Sequence, residues 1–455
     1  MKTEVINSQD EHQETWTNEH VIHHIKQENV LFIRLQFIDI LGMPKNIVVP
    51  ASRIEEALED GIPFDASSID GYATIEESDK IAKPCPSSFV VLPESIEKRK
   101  TAKLNCDIYE PNGDRFLGDT KYVLERAVTQ AREQGYLFNV GPECEFFLFK
   151  KNGDQTSLKP NDSAGYFDLS HRDLAEGVRA EISLALDNFG ITTYTSHHEV
   201  SAGQHEINFR YADAVTTADR VITLKYVTKV IATTHGLHAS FMPKPIYGLN
   251  GSGMHTHLSL FDSRDANAFF DRDSPHQLSQ TARCFIGGII HYIKELTGIL
   301  NPTVNSYKRL VPGYEAPTYI SWANNNRSAL IRIPSKRGNS TRCELRSPDL
   351  SGNPYLQFAV ILTAGLQGLK ERMEPPEAVE KNIYELTAQQ RLDHGIGQLP
   401  ESLGHALDFM EKSDLMKQTL GDHVFEHFLY VKHQEWNAYR TQVTNWELER
   451  YLPAL

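Results

Sequence analysis

The sequence has few cysteines, and they do not pair by spacing. Cys85, Cys106, Cys144, Cys284 and Cys343 are odd in number and scattered. No CxxC pair occurs, so neither a disulfide framework nor a structural zinc knuckle is indicated, and a reducing cytoplasm is the expected setting. Basic charge is scarce as well. Net charge is -14 with a pI near 5.8, which excludes the basic footprint of a nucleic-acid binder. No run of about 18 apolar residues exists, so no membrane span is expected. The polar start MKTEVINSQDEHQETW lacks the apolar stretch of a secretory signal. No Gly-Lys dipeptide occurs, so there is no P-loop. GSGMHT does not complete GxGxxG, and HExxH is absent, which removes the dinucleotide-binding and zincin readings.

What is present is an ordinary globular composition, 455 residues long, with 40% hydrophobic and 23% charged residues. That length suits two domains. Residues 1–17 read as a flexible polar tail. Residues 18–117 read as a small, strand-dominated α+β unit, opening with a helix at Asn18–Gln27 and two strands, Val30–Gly42 and Lys45–Pro50. Residues 118–455 read as a larger domain of alternating strands and long helices. Helices are expected at Tyr122–Gly135, Arg172–Phe189, Thr217–His235, Gln277–Thr297, Pro354–Arg372, Glu401–Glu411 and Val424–Tyr439.

Six stretches carry chemistry. In NVGPECEFFLF (Asn139–Phe149) a Gly-Pro break precedes an aromatic strand. Residues two apart on a strand share a face, so Glu143 and Glu145 lie side by side. A solvated strand end would explain them, and so would a bound cation. HHEVSAGQHEINFRY (His197–Tyr211) places Glu199 and Glu206 on either side of a turn-like SAGQ. In LNGSGMHTHLSLF (Leu249–Phe261) His255 and His257 share a face, as metal or phosphate ligands or as hydrogen-bonded core histidines. TRCELRSPD (Thr341–Asp349) lines up Arg342, Glu344 and Arg346. That row is either a surface ladder or a floor for a cation and anions. Two further segments, NSYKRLVPGYEAP and NRSALIRIP, add Lys308, Arg309, Arg327 and Arg332. Hard divalent ions with phosphate groups suit such carboxylate, imidazole and guanidinium clusters. Spacing alone stops at metal-dependent phosphoryl chemistry.

With those motifs in order, the chain resembles a class I glutamine synthetase, the bacterial and archaeal type, from about Lys26 to Leu455. NSYKRLVPGYEAP, FMPKP (Phe241–Pro245), NGSGMH, GPECEFFLF, HHEVSAGQHEINF, NRSALIRIP and RCELRSPD all match the family's strings. The resemblance implies an N-terminal β-grasp domain and a catalytic α/β domain. It implies ATP-dependent ligation of ammonia to L-glutamate through γ-glutamyl phosphate, with two Mg²⁺ or Mn²⁺ ions per site. Glu145, Glu199 and Glu206 correspond to one metal's ligands, and Glu143, His255 and Glu344 to the other's. Arg309 and Arg346, with Asn250, Gly251 and His255, correspond to glutamate-binding positions. Arg327, Arg332 and Arg342, with His257 and Ser259, correspond to ATP-binding positions, Arg327 also being catalytic. Asp65 corresponds to the proton acceptor for ammonium, Glu315 to the flap acid, and Tyr166 and Ser68 to the rest of the ammonium site. The resemblance further implies two stacked six-membered rings, with the Asp65 loop entering the neighbouring subunit's site and the chain end WELERYL docking on the opposite ring.

Four departures stand out. Ala66 replaces the glycine of FDGSSI, where a Cβ would tilt the Asp65 loop. Asp119-Thr120-Lys121 replaces DPR. Thr74 stands where a feedback-inhibited subgroup has arginine. Tyr384 occupies the adenylylation position without the usual prolines after it, so modification there is not expected. The rival readings are a ligase that joins glutamate to a polyamine, ethanolamine or methylamine, and an inactive regulatory paralogue. Retention of Asp65 and Glu315 favours ammonia, and retention of every matched polar residue favours an active enzyme.

Overall fold

The computed structural model describes residues 16–152 and 155–455, so most of the expected tail lies outside the described residues. The first helix, Asn18–Gln27, has the expected bounds because Thr17 and His20 close a capping box around its start. Six strands follow: Phe32–Ile38 (β1), Pro44–Pro50 (β2), Ile62–Asp65 (β3), Asp79–Pro84 (β4), Val90–Val91 (β5) and Thr101–Tyr109 (β6). They form one sheet in the order β2-β1-β6-β4-β3, with β5 against β6 and β1 parallel to β6. Alternation along β1 buries Ile33, Leu35 and Phe37, which pack with Val21, Ile25, Ala57 and Leu104 into one core. Ala66 belongs to this core. Its amide donates to the Ser78 carbonyl at 2.8 Å, and its backbone avoids the left-handed region. The methyl therefore has a place, and the expected tilt of the Asp65 loop has no steric cause.

The second sheet is built on one long strand, Tyr136–Asn152 (β7). Gln155–Pro160 (β8), Thr193–His198 (β9), Gln204–Phe209 (β10), Ala212–Asp213 (β11), Leu237–Ser240 (β12) and Met254–Asp262 (β13) follow it in sequence. Tyr319–Ile320 (β14) forms a separate pair with Gly397–Gln398 (β18). The main path is completed by Trp322–Asn324 (β15), Ile331–Ile333 (β16) and Cys343–Leu345 (β17), in the order β15-β16-β17-β13-β7-β10-β9. The Gly-Pro pair expected to precede the strand lies inside it. Proline is poorly placed in a central ladder because it lacks a donor. Here β11 pairs with β7 as far as Val140 and β10 pairs from Glu143, so Gly141 and Pro142 fall in the gap between two partners.

Long helices, chiefly Ala214–Thr234, Gln280–Leu300 and Pro354–Glu371, cover this sheet and share its core. The two sheets meet through specific bonds. Asn353 Nδ2 donates to the Asp39 carbonyl at 2.9 Å, and Arg34 donates to the Tyr226 hydroxyl at 2.6 Å. The Asp119-Thr120-Lys121 departure is absorbed locally. Asp119 caps the helix Thr120–Glu133, and Lys121 Nζ lies 2.8 Å from Asp107 Oδ1.

Candidate active site

Antiparallel pairing on both sides of β7 gathers the carboxylates. Glu206 of β10 lies opposite Glu145, and His255 of β13 lies opposite Glu143. One strand further, Glu344 of β17 pairs with His257 on one side and with Arg332 of β16 on the other. A cavity of about 1110 Å³ opens over this surface.

Two groups of ligand-type atoms result, each within 4.8 Å: Glu143 with His255 and Glu344, and Glu199 with Glu206 and His197. His255 Nδ1 is 3.1 Å from Glu143 Oε2, and His257 Nε2 is 2.8 Å from Glu143 Oε1. Arg332 Nε donates to Glu344 Oε2 at 2.7 Å, and Arg346 Nη1 donates to Glu344 Oε1 at 3.2 Å. Burial would raise Glu143, but its bonds with His255 and His257 outweigh that and hold it well below the usual carboxylate range. Glu344 is likewise lowered, burial being overcome by the charges of His257, Arg346 and His255.

The other group has a different balance. Burial, then the charges of Glu145 and Glu206, push Glu199 up to about 9. Burial, with Glu206 beside it, also raises Glu145. His197 Nε2 lies 3.3 Å from Glu206 Oε1, and Asn208 Nδ2 donates to the same oxygen at 2.5 Å. Glu145, matched in sequence with Glu199 and Glu206, lies between the two groups. Its Oε2 accepts from the Gly253 amide at 2.8 Å, and its Oε1 is 3.8 Å from His255 Nε2. His197 is the member that sequence reasoning missed. Its signal was available, because it stands two residues before Glu199 in the same extended segment.

The donor set fits hard divalent cations. Carboxylates crowd each other, are partly or fully buried, and in one group lack enough internal positive charge. A cation at each group would remove that cost.

The matched site residues divide into two sets. Tyr166, Asn250, Gly251, Arg309, Glu315, Arg327, Arg332 and Arg346 line the same cavity as the six metal-type side chains. Tyr166 stacks near Phe167 and His197, with ring centroids 4.1 and 5.7 Å away. Glu315 holds a left-handed backbone, φ 56°, and accepts from Asn250 Nδ2 at 3.2 Å. Arg309 is buried, and its terminal nitrogens donate to the carbonyls of Arg346 at 3.1 Å and Ser347 at 2.7 Å, so it braces the wall. Tyr384 also lines the cavity, and its hydroxyl donates to the Ala316 carbonyl at 2.6 Å.

Asp65, Ser68, His257, Ser259 and Arg342 do not line it. His257 and Arg342 stand one bond behind it, Arg342 Nε donating to His257 Nδ1 at 3.2 Å. Ser259 follows on β13, half-buried. Asp65 and Ser68 are exposed on the smaller unit.

Family models decide the ancestry of this arrangement. Residues 29–111 match the glutamine synthetase β-grasp domain and residues 117–451 match the glutamine synthetase catalytic domain. The chain belongs to the glutamine synthetase family. Its α+β fold is thus a β-grasp domain followed by a catalytic domain, and the protein is a ligase of that family. The glutamine synthetase of Clostridium saccharobutylicum is 51% identical over 439 residues, covering 96% of this chain and 99% of the relative. That of Methanosarcina mazei is 50% identical over 441 residues, covering 96% and 98%. Among solved structures, a GmaS/ADP complex superposes with a TM-score of 0.87 at 33% identity, covering 95% of this chain and 99% of that one. The Plasmodium falciparum glutamine synthetase gives 0.85 at 25% identity, covering 96% and 98%. Among the described residues no helix is long and apolar enough to cross a membrane.

Proposed function

We propose that the protein ligates ammonia to L-glutamate using ATP, giving L-glutamine, ADP and phosphate. One observation carries the reading: Glu143, Glu145, Glu199, Glu206, Glu344 and His255 share a cavity with Arg327, Arg332 and Arg346. Two Mg²⁺ or Mn²⁺ ions, when bound there, supply positive charge to a transferring phosphoryl group.

In this reading Arg327 and Arg332 hold the ATP phosphates, with Arg342 and His257 steadying them from behind and Ser259 further along β13 on the nucleotide side. Arg346, Asn250, His255 and the Gly251 backbone orient glutamate against the wall that Arg309 braces. The substrate γ-carboxylate attacks the γ-phosphorus of ATP, and the β–γ bridging bond breaks. Ammonia then attacks the acyl carbon of γ-glutamyl phosphate and phosphate leaves. Ammonia is mostly ammonium near pH 7, so the site binds a cation and removes a proton. Glu315 closes over the site, and Tyr166 and Ser68 complete the cation pocket. Asp65 accepts the proton. Hydrogen bonds from Ser67 Oγ at 2.7 Å and Ser67 N at 2.9 Å lower Asp65 and keep it ionised. Asp65 and Ser68 lie off the cavity of their own chain, so they serve a neighbouring copy. A dodecamer of two stacked hexamers provides that neighbour, with the exposed Trp446 helix near the chain end, Asn445–Tyr451, as a contact between rings.

The alternative acceptor is a small amine. It draws on the superposition with GmaS, set against the relatives near 50% identity that are called glutamine synthetases. Retained Asp65 and Glu315 favour ammonia, because a site built to bind and deprotonate a small cation discriminates strongly. Steady-state phosphate release with ammonium, methylamine, ethylamine and putrescine is the test. Ammonium is expected to give the highest kcat/KM, by about tenfold or more. Faster turnover with any of the amines refutes the assignment.

A further inference from the structure

Behind the turn that carries Glu199 and Glu206 lies a cluster with no role in the reaction above. The side chains of Asp162, His198 and His205 are fully buried. Asp162 follows β8, His198 immediately precedes Glu199, and His205 immediately precedes Glu206. Neighbours in an extended chain point to opposite sides, so the imidazoles face inward while the carboxylates face the cavity.

Asp162 is the hub. Its Oδ1 accepts from the Gly203 amide at 2.8 Å and lies 3.0 Å from His198 Nε2. Its Oδ2 has no hydrogen-bond partner and faces His205 Nε2, itself unpartnered, at 3.8 Å. Gly203 is the tip of the turn. Its φ is +70°, and an added Cβ would meet Pro160 Cβ at 2.8 Å and the Leu148 carbonyl at 2.9 Å. The tip carries no side chain of its own, so it is held through its backbone. His198 Nδ1 donates to the Glu199 carbonyl at 2.6 Å, which joins the hub to the ligand residue itself. The Phe167 amide donates to the His198 carbonyl at 3.1 Å, so the Tyr166 segment is tied to the same frame.

The trio has the residue types of a third cation site, with its atoms within 4.8 Å. Tautomers argue against that. A guanidinium only donates, and Arg179 Nη1 lies 3.0 Å from His205 Nδ1. Nδ1 is therefore the acceptor and Nε2 carries the proton, which leaves no lone pair for a metal. Arg179 cannot turn away, because Asp173 grips it at 3.1 and 2.7 Å. The Nε2–H bond of this neutral ring points at Asp162, 3.8 Å away.

We propose that Asp162 is a positioning residue that fixes the Glu199–Glu206 turn through Gly203, His198 and His205, and so sets the affinity of one of the two cation groups without touching substrate. This rests on the reading of Glu199 and Glu206 as cation ligands. Groups that orient metal ligands from behind commonly change affinity by about 10–100-fold when replaced.

The test is Mn²⁺ binding to the full-length protein, with free Mn²⁺ followed by electron paramagnetic resonance. Wild type is expected to bind two ions per chain. Failure to bind them defeats the ligand assignment itself, which is a separate outcome. Asp162→Asn keeps an acceptor for Gly203 but turns a donor toward the Nε2–H of His205. It is expected to weaken one ion by about tenfold or more, leave the other within about twofold, and leave kcat at saturating Mn²⁺ near wild type. If both ions weaken together along with the glutamate KM, or neither weakens, the positioning role is wrong. Should Asp162→Asn fail to fold, His205→Gln removes only the longer arm and is read by the same criteria.

Discussion

The two carboxylate groups beside β7 share a strand and differ in what neutralises them. Glu143 and Glu344 sit among His255, His257, Arg332 and Arg346, and the protein's own positive groups hold both acids low. Glu199 and Glu206 have His197 beside them, Glu145 between the groups reaches His255 at 3.8 Å, and Glu199 rises to about 9. One group is neutralised by the protein's own charges, and the other would be completed by the cation proposed for it. Two such groups in one cavity need not respond alike to protons, chelators or mutation.

The largest effect expected on this contrast comes from Glu344→Ala. It removes a proposed ligand and strands the buried Arg346 and half-buried Arg332 guanidinium groups. Phosphate release should fall by about a thousandfold, and unfolding stability should drop by about 3–5 kcal/mol. A calorimetric scan that matches wild type would mean the group is not arranged by its internal charges.

Next in size is a pH effect. In the metal-free protein Glu199 holds a proton at pH 7, since it ionises only near 9. A cation must displace that proton, so the affinity of this group should rise by up to about tenfold per unit from pH 7 to about 9, then level. Glu143 and Glu344 are already ionised, and their group should change little over that span. Mn²⁺ titrations by calorimetry, in buffers of different ionisation enthalpy, should show about one proton released for one ion and none for the other. Two ions with the same pH slope would erase the distinction.

The smallest effect expected is His197→Asn, which removes the imidazole grouped with Glu199 and Glu206. It should weaken that ion by about threefold and spare the other, as read by the same titration. A larger loss would make His197 a full ligand.

Much of this contrast could be read from the chain. Period-two alternation put Glu143 beside Glu145, and His255 beside His257, because a strand leaves no other choice. The first helix was legible at Asn18–Gln27, and the structure adds the capping box that fixes its start. Register was not. That Glu206 lies opposite Glu145, and that Glu344 meets Arg332, depends on antiparallel pairing between segments far apart in sequence. Nor could the sequence show that Arg309, matched to a glutamate-binding position, lines the cavity with its terminal nitrogens bonded to backbone carbonyls. The helix expected at Val424–Tyr439 follows a break at Gly421, whose φ of 78° is not helical, and a further helical stretch from Asp414 precedes that break. Ala388–Asp393 and Asn445–Tyr451 are six and seven residues long, too short for a helical period to show.

The long strand through the middle of the sheet also works as a ruler. Glu143 and Glu145 are separated by one residue, about 7 Å along an extended backbone, and paired strands hold that stretch on both flanks. Neither acid can drift without dragging its sibling. Evolution can retune what neutralises each acid, but the spacing between the two carboxylates is written into the peptide geometry itself.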